Sequence, residues 1–176
     1  MKKKIIAAPL ILLSFILIIF FYLLIIDRNP SEIPSNLLNK KVPTFETETL
    51  LKNKKFISPE EFENQLTLVN FFATWCKPCR DEHPYIKKFS EKDKIRIIGI
   101  NYKDKSEKTK NWLNTLGNPY SYIALDENGQ IGINWGVYGL PETFIVDAKG
   151  YIRYRHVGPI TKKVYKKINL IIKEYK

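Results

Sequence analysis

Cys76 and Cys79 are the only cysteines of the chain. They stand as a C-x-x-C pair, and a disulfide between them closes too small a loop to add much chain-entropy stabilisation. Read as chemistry, the pair is a dithiol that can attack, exchange and re-form a disulfide. The preceding run 67–72 (TLVNFF) is short, apolar and rich in β-formers, which predicts a buried central strand. The spacing from Lys77 predicts a helix to Ser90, with Pro84 inside it. Cys76 then falls at a helix N-terminus, where unpaired N–H groups and the helix dipole favour a thiolate. Lys77 adds a neighbouring positive charge, and Pro78 suits a first turn because it lacks a donor. Cys79 lies one turn further in, placed to attack a mixed disulfide formed at Cys76. Trp75 is read as a lid beside Cys76, with a plain core tryptophan as the competing reading. Cys76, Cys79, His83 and His156 could in principle make a Cys2His2 zinc site, but Trp75 and Pro78 hem the thiols. His83 is expected as an ordinary helix-surface residue, with a catalytic base as the competing reading. No motif calls for a metal, haem or nucleotide cofactor.

The elements that must hold this pair alternate. Residues 44–49 and 55–57 predict a small hairpin. Ser58, Pro59 and Glu61 read as a capped helix start. A second buried strand is predicted at 95–100, a helix at 106–116 with Ser106 as cap and Gly117 as stop, and an extended run at 121–125. A short helix at 130–135 is followed by strands at 143–146 and 151–157, joined by the turn Asp147-Ala148-Lys149-Gly150. Thr161 caps a final helix whose apolar positions Val164, Ile168, Ile171 and Ile172 share one face. This order predicts an α/β fold in which a central mixed sheet is flanked by helices, parallel at the cysteines and antiparallel at one edge.

Residues 5–26 carry no charge and form a helix of about 33 Å, enough to span a bilayer. No small-x-small cleavage site follows, since the next residues are Asp27-Arg28-Asn29-Pro30, so an uncleaved anchor is expected. Lys2, Lys3 and Lys4 precede it and hold the N-terminus inside. The expected organisation is a basic N-terminus and transmembrane helix at 1–26, an extracytoplasmic tether at 27–43, and one domain at 44–176 outside the cytoplasmic membrane. The net charge is +11, and +8 remains after residue 26. The lysines are scattered among Ile, Asn and Tyr with no dense stripe, which disfavours a nucleic-acid partner.

The segments N-F-F-A-T-W-C-K-P-C-R-D-E-H-P (70–84) and G-V-Y-G-L-P-E-T-F-I-V-D-A-K-G-Y-I-R-Y-R-H-V-G (136–158) resemble the thioredoxin-like cytochrome c maturation proteins called CcmG or DsbE. The lead-in at 29–35 and 41–45 is similar too. The resemblance implies a thioredoxin-like fold in which Pro141 is cis and its loop faces the cysteines; spacing alone leaves a trans turn proline open. It implies a membrane-anchored periplasmic reductant that keeps the C-x-x-C-H thiols of apocytochrome c reduced. The implied partners are apocytochrome c, other maturation proteins and a membrane thiol donor of the DsbD or CcdA type. Glu82 and Glu142 match acidic residues near that family's site, where negative charge raises a thiol pKa and can relay its proton; a solvated helix acid is the plain alternative for Glu82. Two departures stand out. Lys77-Pro78 replaces a common Pro-Thr pair, which leaves the potential open. Asn70 stands where ordinary thioredoxins bury an aspartate, so the relay must come from Glu82 or Glu142. Competing functions are a general extracytoplasmic reductase with other clients, a disulfide-forming oxidase, and a non-catalytic scaffold binding through the Pro141 groove.

Overall fold

The computed structural model describes residues 2–25, 36–50, 55–58 and 60–175. The chain divides into two units, residues 1–30 and 31–176. The first holds helix α1, Lys2–Ile25, with Pro9 inside it. Its described side chains, residues 9–24, are all exposed. That stretch alone is short for a membrane span, and among the described residues no helix is long and apolar enough to cross a membrane. Residues 27–35 of the expected tether, and Pro59, lie outside the described residues.

The second unit is built on a five-stranded sheet. Strands β3 (Thr67–Phe72), β4 (Arg96–Tyr102), β5 (Tyr122–Asp126), β6 (Glu142–Val146) and β7 (Ile152–Val157) lie in the order β5-β4-β3-β6-β7. β3, β4 and β5 run parallel, whereas β6 and β7 are antiparallel to their neighbours. The predicted mixed sheet is thus present, with β3 at its centre and buried at every residue. Alternation along β3 sends its side chains to two cores. Leu68 and Phe72 pack with Ile86, Phe89, Trp112, Leu113, Ile168 and Ile172. Val69 and Phe71 pack with Phe56, Phe62, Trp135 and Phe144 on the other face.

The helices are α2 (Lys77–Glu91), α3 (Ser106–Leu116), α4 (Gln130–Asn134) and α5 (Lys162–Tyr175). Most predicted elements stand within a residue or two. The small hairpin forms as β1 (Glu46–Glu48) against β2 (Lys55–Ile57), and the chain after β1 covers the β5 edge through a Thr49–Ala124 bridge.

Three local expectations are corrected. Ser58 does not cap a helix: its hydroxyl donates to Pro43 O (2.8 Å), and a single 3-10 turn, Glu60–Phe62, follows. Glu61 instead pairs with Arg96 at 3.1 Å. Ser106 is the first residue of α3, not its cap; Lys105 holds the cap position with no side-chain bond. The lead-in is packed before residue 44, because Asn39 N donates to Ile152 O, Val42 N donates to Gly150 O, and Val42 is buried.

Candidate active site

β3 ends at Phe72, and residues 73–76 turn directly into α2. Cys76 is the N-cap of α2, with extended backbone (φ −86°, ψ 106°). Its sulfur accepts from Cys79 N at 3.1 Å, so one orphan donor of the first turn points at it. Cys76 and Cys79 form a disulfide with Cα atoms 5.3 Å apart. Both are buried, Cys79 more deeply than Cys76. Pro78 occupies the first turn, as the sequence suggests. Lys77 is different: its ammonium pairs with Asp81 at 2.9 Å on the exposed helix face, so its charge is shared rather than offered to the sulfur.

Trp75 is 61% exposed, which excludes the core reading. Its indole N–H donates to Lys103 O (3.2 Å), which tethers the ring across the loop that follows β4. Asp104 holds the same junction. Its carboxylate accepts from Thr74 N, Thr74 Oγ1 (3.1 Å) and Lys105 N (2.8 Å), tying the turn before Cys76 to the start of α3. Sequence reasoning missed Asp104, because Thr74, the partner that ties it to the cysteine turn, lies 30 residues away.

The Leu140–Pro141 bond is cis. The β3–β6 register pairs Phe71 with Glu142, which sets Pro141 at the end of β3 from which the Cys76 turn departs. Leu140 packs against the core cluster that contains Cys76 and Cys79. Pro141 O accepts from Gly158 N at 2.9 Å, fixing this loop to the end of β7.

Glu82 is 1% exposed, so the solvated reading fails. It lies on the buried stripe of α2 formed by Cys79, Glu82, His83, Ile86 and Phe89. Its carboxylate accepts from Asn70 Nδ2 (2.8 Å) and from Ile160 N (2.8 Å). Burial still outweighs these two donors and pushes its pKa up to about 8. Glu82 is therefore a carboxylic acid at neutral pH, one helical turn beyond Cys79.

Glu142 behaves otherwise. Its carboxylate is fully buried but paired with Arg155 Nε at 2.7 Å, and it accepts from Tyr138 N at 3.1 Å. Arg155 also donates to Gly136 O (2.8 Å) and lies over the Tyr138 ring. This ion pair braces the loop before Pro141, and of the two expected relay candidates it leaves Glu82 as the unpaired acid. Arg155 lies within the 136–158 segment, but only its pairing with Glu142 across the β6–β7 hairpin reveals its role. His83 is also corrected: it is buried, edge-on to Trp112 with ring centroids 4.5 Å apart, and its Nε2 donates to Gly117 O at 2.9 Å. Burial lowers its pKa. Among the described residues no cluster of metal-ligating side chains forms.

A family model described as Redoxin matches residues 37–169. The DsbE thiol:disulfide interchange protein of Tatumella citrea is 44% identical over 172 residues, 94% of this chain and 91% of that protein. The chain belongs to the DsbE/CycY family of thiol:disulfide interchange proteins. DsbE of Escherichia coli K12 is 39% identical over 94% of this chain and 91% of its own length. CycY of Rhizobium leguminosarum bv. viciae is 42% identical over 76% of this chain and 72% of its own length. A secreted thiol-disulfide isomerase from Corynebacterium glutamicum shares the fold, with a TM-score of 0.69 at 18% identity, covering 84% of this chain and 93% of that one. As a DsbE/CycY-family protein with an intact C-x-x-C pair, the chain is a thiol:disulfide oxidoreductase of thioredoxin-like fold.

The Glu82 environment has a consequence for stability. Between the unfolded value near 4.5 and the folded value of about 8 the native state keeps a proton that the unfolded chain has lost. This contribution therefore falls as pH rises from about 4.5 to about 8 and is level above, on the order of a few kcal/mol in all. Buried His83 and His156, both held low by burial, act in the opposite direction near pH 6.5. Urea denaturation of wild type and Glu82→Gln across pH 5–9 isolates the acid: wild type is expected to lose stability relative to the variant as pH rises to about 8, and a constant difference would show that Glu82 titrates normally.

Proposed function

We propose that this chain is a membrane-anchored periplasmic reductant that delivers electrons to the C-x-x-C-H disulfide of apocytochrome c during cytochrome c maturation. The observation that supports a catalytic dithiol here is the buried acid one helical turn behind the cysteine pair, and the likeness to DsbE proteins supports the direction. Cys76, receiving the Cys79 N–H at the N-cap of α2, attacks the client disulfide as thiolate. The client's departing sulfur leaves as thiolate and takes a proton, and a mixed disulfide joins Cys76 to the client. Glu82 gives up its own proton to solvent, takes the Cys79 proton in its place, and the Cys79 thiolate attacks Cys76 Sγ; the second client sulfur departs as thiolate and takes a proton from solvent. The chain's disulfide re-forms, and two electrons have moved to the client. Exposed Trp75 and the Leu140–Pro141 backbone flank the sulfurs as the client's groove. Pro78 stiffens the first turn, and Glu142 braces the groove from beneath through Arg155.

The client assignment draws on the likeness to DsbE proteins and on the 136–144 segment. The anchor is supported by the uncharged run 5–26 and by alignments that cover 94% of the chain, too much to leave that run out. A membrane thiol donor of the DsbD or CcdA type would recharge the pair, since no cytosolic thiol pool reaches it. Glutathione equilibration of the Cys76–Cys79 couple tests the direction. A potential near or below about −200 mV marks a reductant; one near about −120 mV marks a donor of disulfides and overturns the reading. Loss of c-type cytochromes in a Cys76→Ala strain, and recovery of the protein in washed membranes, would test client and anchor.

A further inference from the structure

Beneath the cysteine pair a polar network crosses the otherwise apolar core. Tyr120 Oη donates to Asn70 Oδ1 at 2.9 Å. The other end of that amide donates to Glu82 Oε1 at 2.8 Å and to Thr143 Oγ1 at 3.3 Å. All four side chains are buried, and they come from the segment before β5, from β3, from α2 and from β6. We infer that Tyr120 is a positioning residue whose hydroxyl orients the Asn70 amide so that Glu82 faces a donor rather than an acceptor. The inference rests on the reading of Glu82 as the group that exchanges a proton with the cysteines.

An amide in a buried site can stand in two orientations, and they treat a neighbouring carboxyl oppositely. With Nδ2 toward Glu82 the carboxylate is stabilised; with Oδ1 toward it, only the protonated acid makes a bond. The tyrosine decides between them. If the amide turned over, the buried hydroxyl proton of Tyr120 would lose its acceptor, Asn70 Oδ1. The ring is held for this task. It stacks on Phe72 at 4.8 Å and 13° and crosses β4 at Gly99. A Cβ there would lie 2.8 Å from the Phe72 ring and 2.9 Å from the Tyr120 ring, so only glycine leaves the space. Asn118 Oδ1 accepts from Tyr120 N at 3.0 Å and fixes the backbone.

The other titratable groups around the network are few. His156 of β7 stands in register beside Thr143, with Lys167 of α5 near it, and His83 is next to Glu82 on α2. Burial holds both imidazoles below the usual histidine range, so they are already neutral where Glu82 titrates. Glu142 alternates to the opposite face of β6 from Thr143. In the oxidised protein the cysteines do not titrate.

The test follows the Glu82 side-chain carboxyl by carbon-13 NMR in the full-length, oxidised, glutamate-labelled chain in detergent micelles, the resonance being identified by its loss in Glu82→Gln. Tyr120→Phe keeps the stacked ring and removes only the hydroxyl. Its Glu82 midpoint is expected to rise by about one pH unit or more above that of wild type. In an Asn70→Ala background the same change should move nothing, since the effect passes through the amide. A merely structural hydroxyl would lower thermal stability and leave the midpoint in place, which would overturn the inference, as would an equal shift in the Asn70→Ala background. The pH profile of Cys76 alkylation in reduced Glu82→Gln reports on the underlying reading separately. An unchanged profile there sinks the relay, whereas an unmoved carboxyl midpoint in Tyr120→Phe sinks the positioning role.

Discussion

Cys76→Ser is expected to reduce disulfide exchange to the uncatalysed background, whereas Cys79→Ser should stop the reaction half-way. The asymmetry comes from where the two sulfurs stand. Cys76 is the N-cap of a 15-residue helix and already accepts a first-turn N–H, an arrangement that stabilises its thiolate on reduction. Cys79 lies a turn inside, nearly inaccessible, and can reach only a sulfur bound to Cys76. A serine hydroxyl at 76 has no comparable anion, so the first attack fails. With serine at 79 the first attack proceeds and the mixed disulfide persists. Reduction of a small protein disulfide, followed by non-reducing electrophoresis, reads both outcomes: no adduct and no product for Cys76→Ser, and a thiol-sensitive adduct for Cys79→Ser. An adduct through Cys79 in the Cys76→Ser protein would reverse the two roles.

Arg155→Met is expected to cost about 3–5 kcal/mol, the usual penalty for leaving a buried partner's charge unpaired. The side chains of Arg155 and Glu142 are 7% and 0% exposed, and their bond is 2.7 Å. Methionine would preserve much of the packing over Tyr138 and Phe144 but strip Glu142 of its counter-charge, leaving it the Tyr138 N–H. Gly136 O would lose its guanidinium donor as well. The loop from 136 to 141 should loosen, and client exchange should weaken along with stability. Pairing the change with Glu142→Gln removes the stranded charge and should recover a large part of the loss. Denaturant midpoints of the two single variants and the double variant measure this directly. A loss under about 1 kcal/mol in Arg155→Met would mean that the Arg155–Glu142 contact does not brace this loop.

Neighbouring residues by themselves determined the cysteine pair, the strand–turn–helix around it, the hairpins, and the order of strands and helices. Each depends on period, turn chemistry or capping within about a dozen residues, as the apolar run 67–72 and the turn at 147–150 show. The motif at 136–144 also carried its cis proline through family likeness. Glu82 was half legible. It shares the helical stripe of Cys79, Ile86 and Phe89, so its burial could have been read from the 3.6-residue period despite the charged run around it. His83, on that same stripe, was misplaced on the surface for want of the same reading.

Only tertiary structure decided what those groups became. Burial is what makes Glu82 an acid with a pKa of about 8, and the donors that pull the value back, Asn70 and Ile160, come from 12 and 78 residues away. Tyr120 reaches Asn70 across 50 residues, through a gap that Gly99 leaves in β4. Arg155 meets Glu142 because the β6–β7 hairpin brings the two within reach across one face of the sheet. Ser58 spent its hydroxyl on Pro43, and Val42 entered the core, because chain-distant partners were nearer than the local ones. Desolvation and hydrogen-bond satisfaction are properties of what surrounds a group in space. Local sequence could place the sulfurs at a helix end, but the proton chemistry beneath them was settled by the packing of five separate segments.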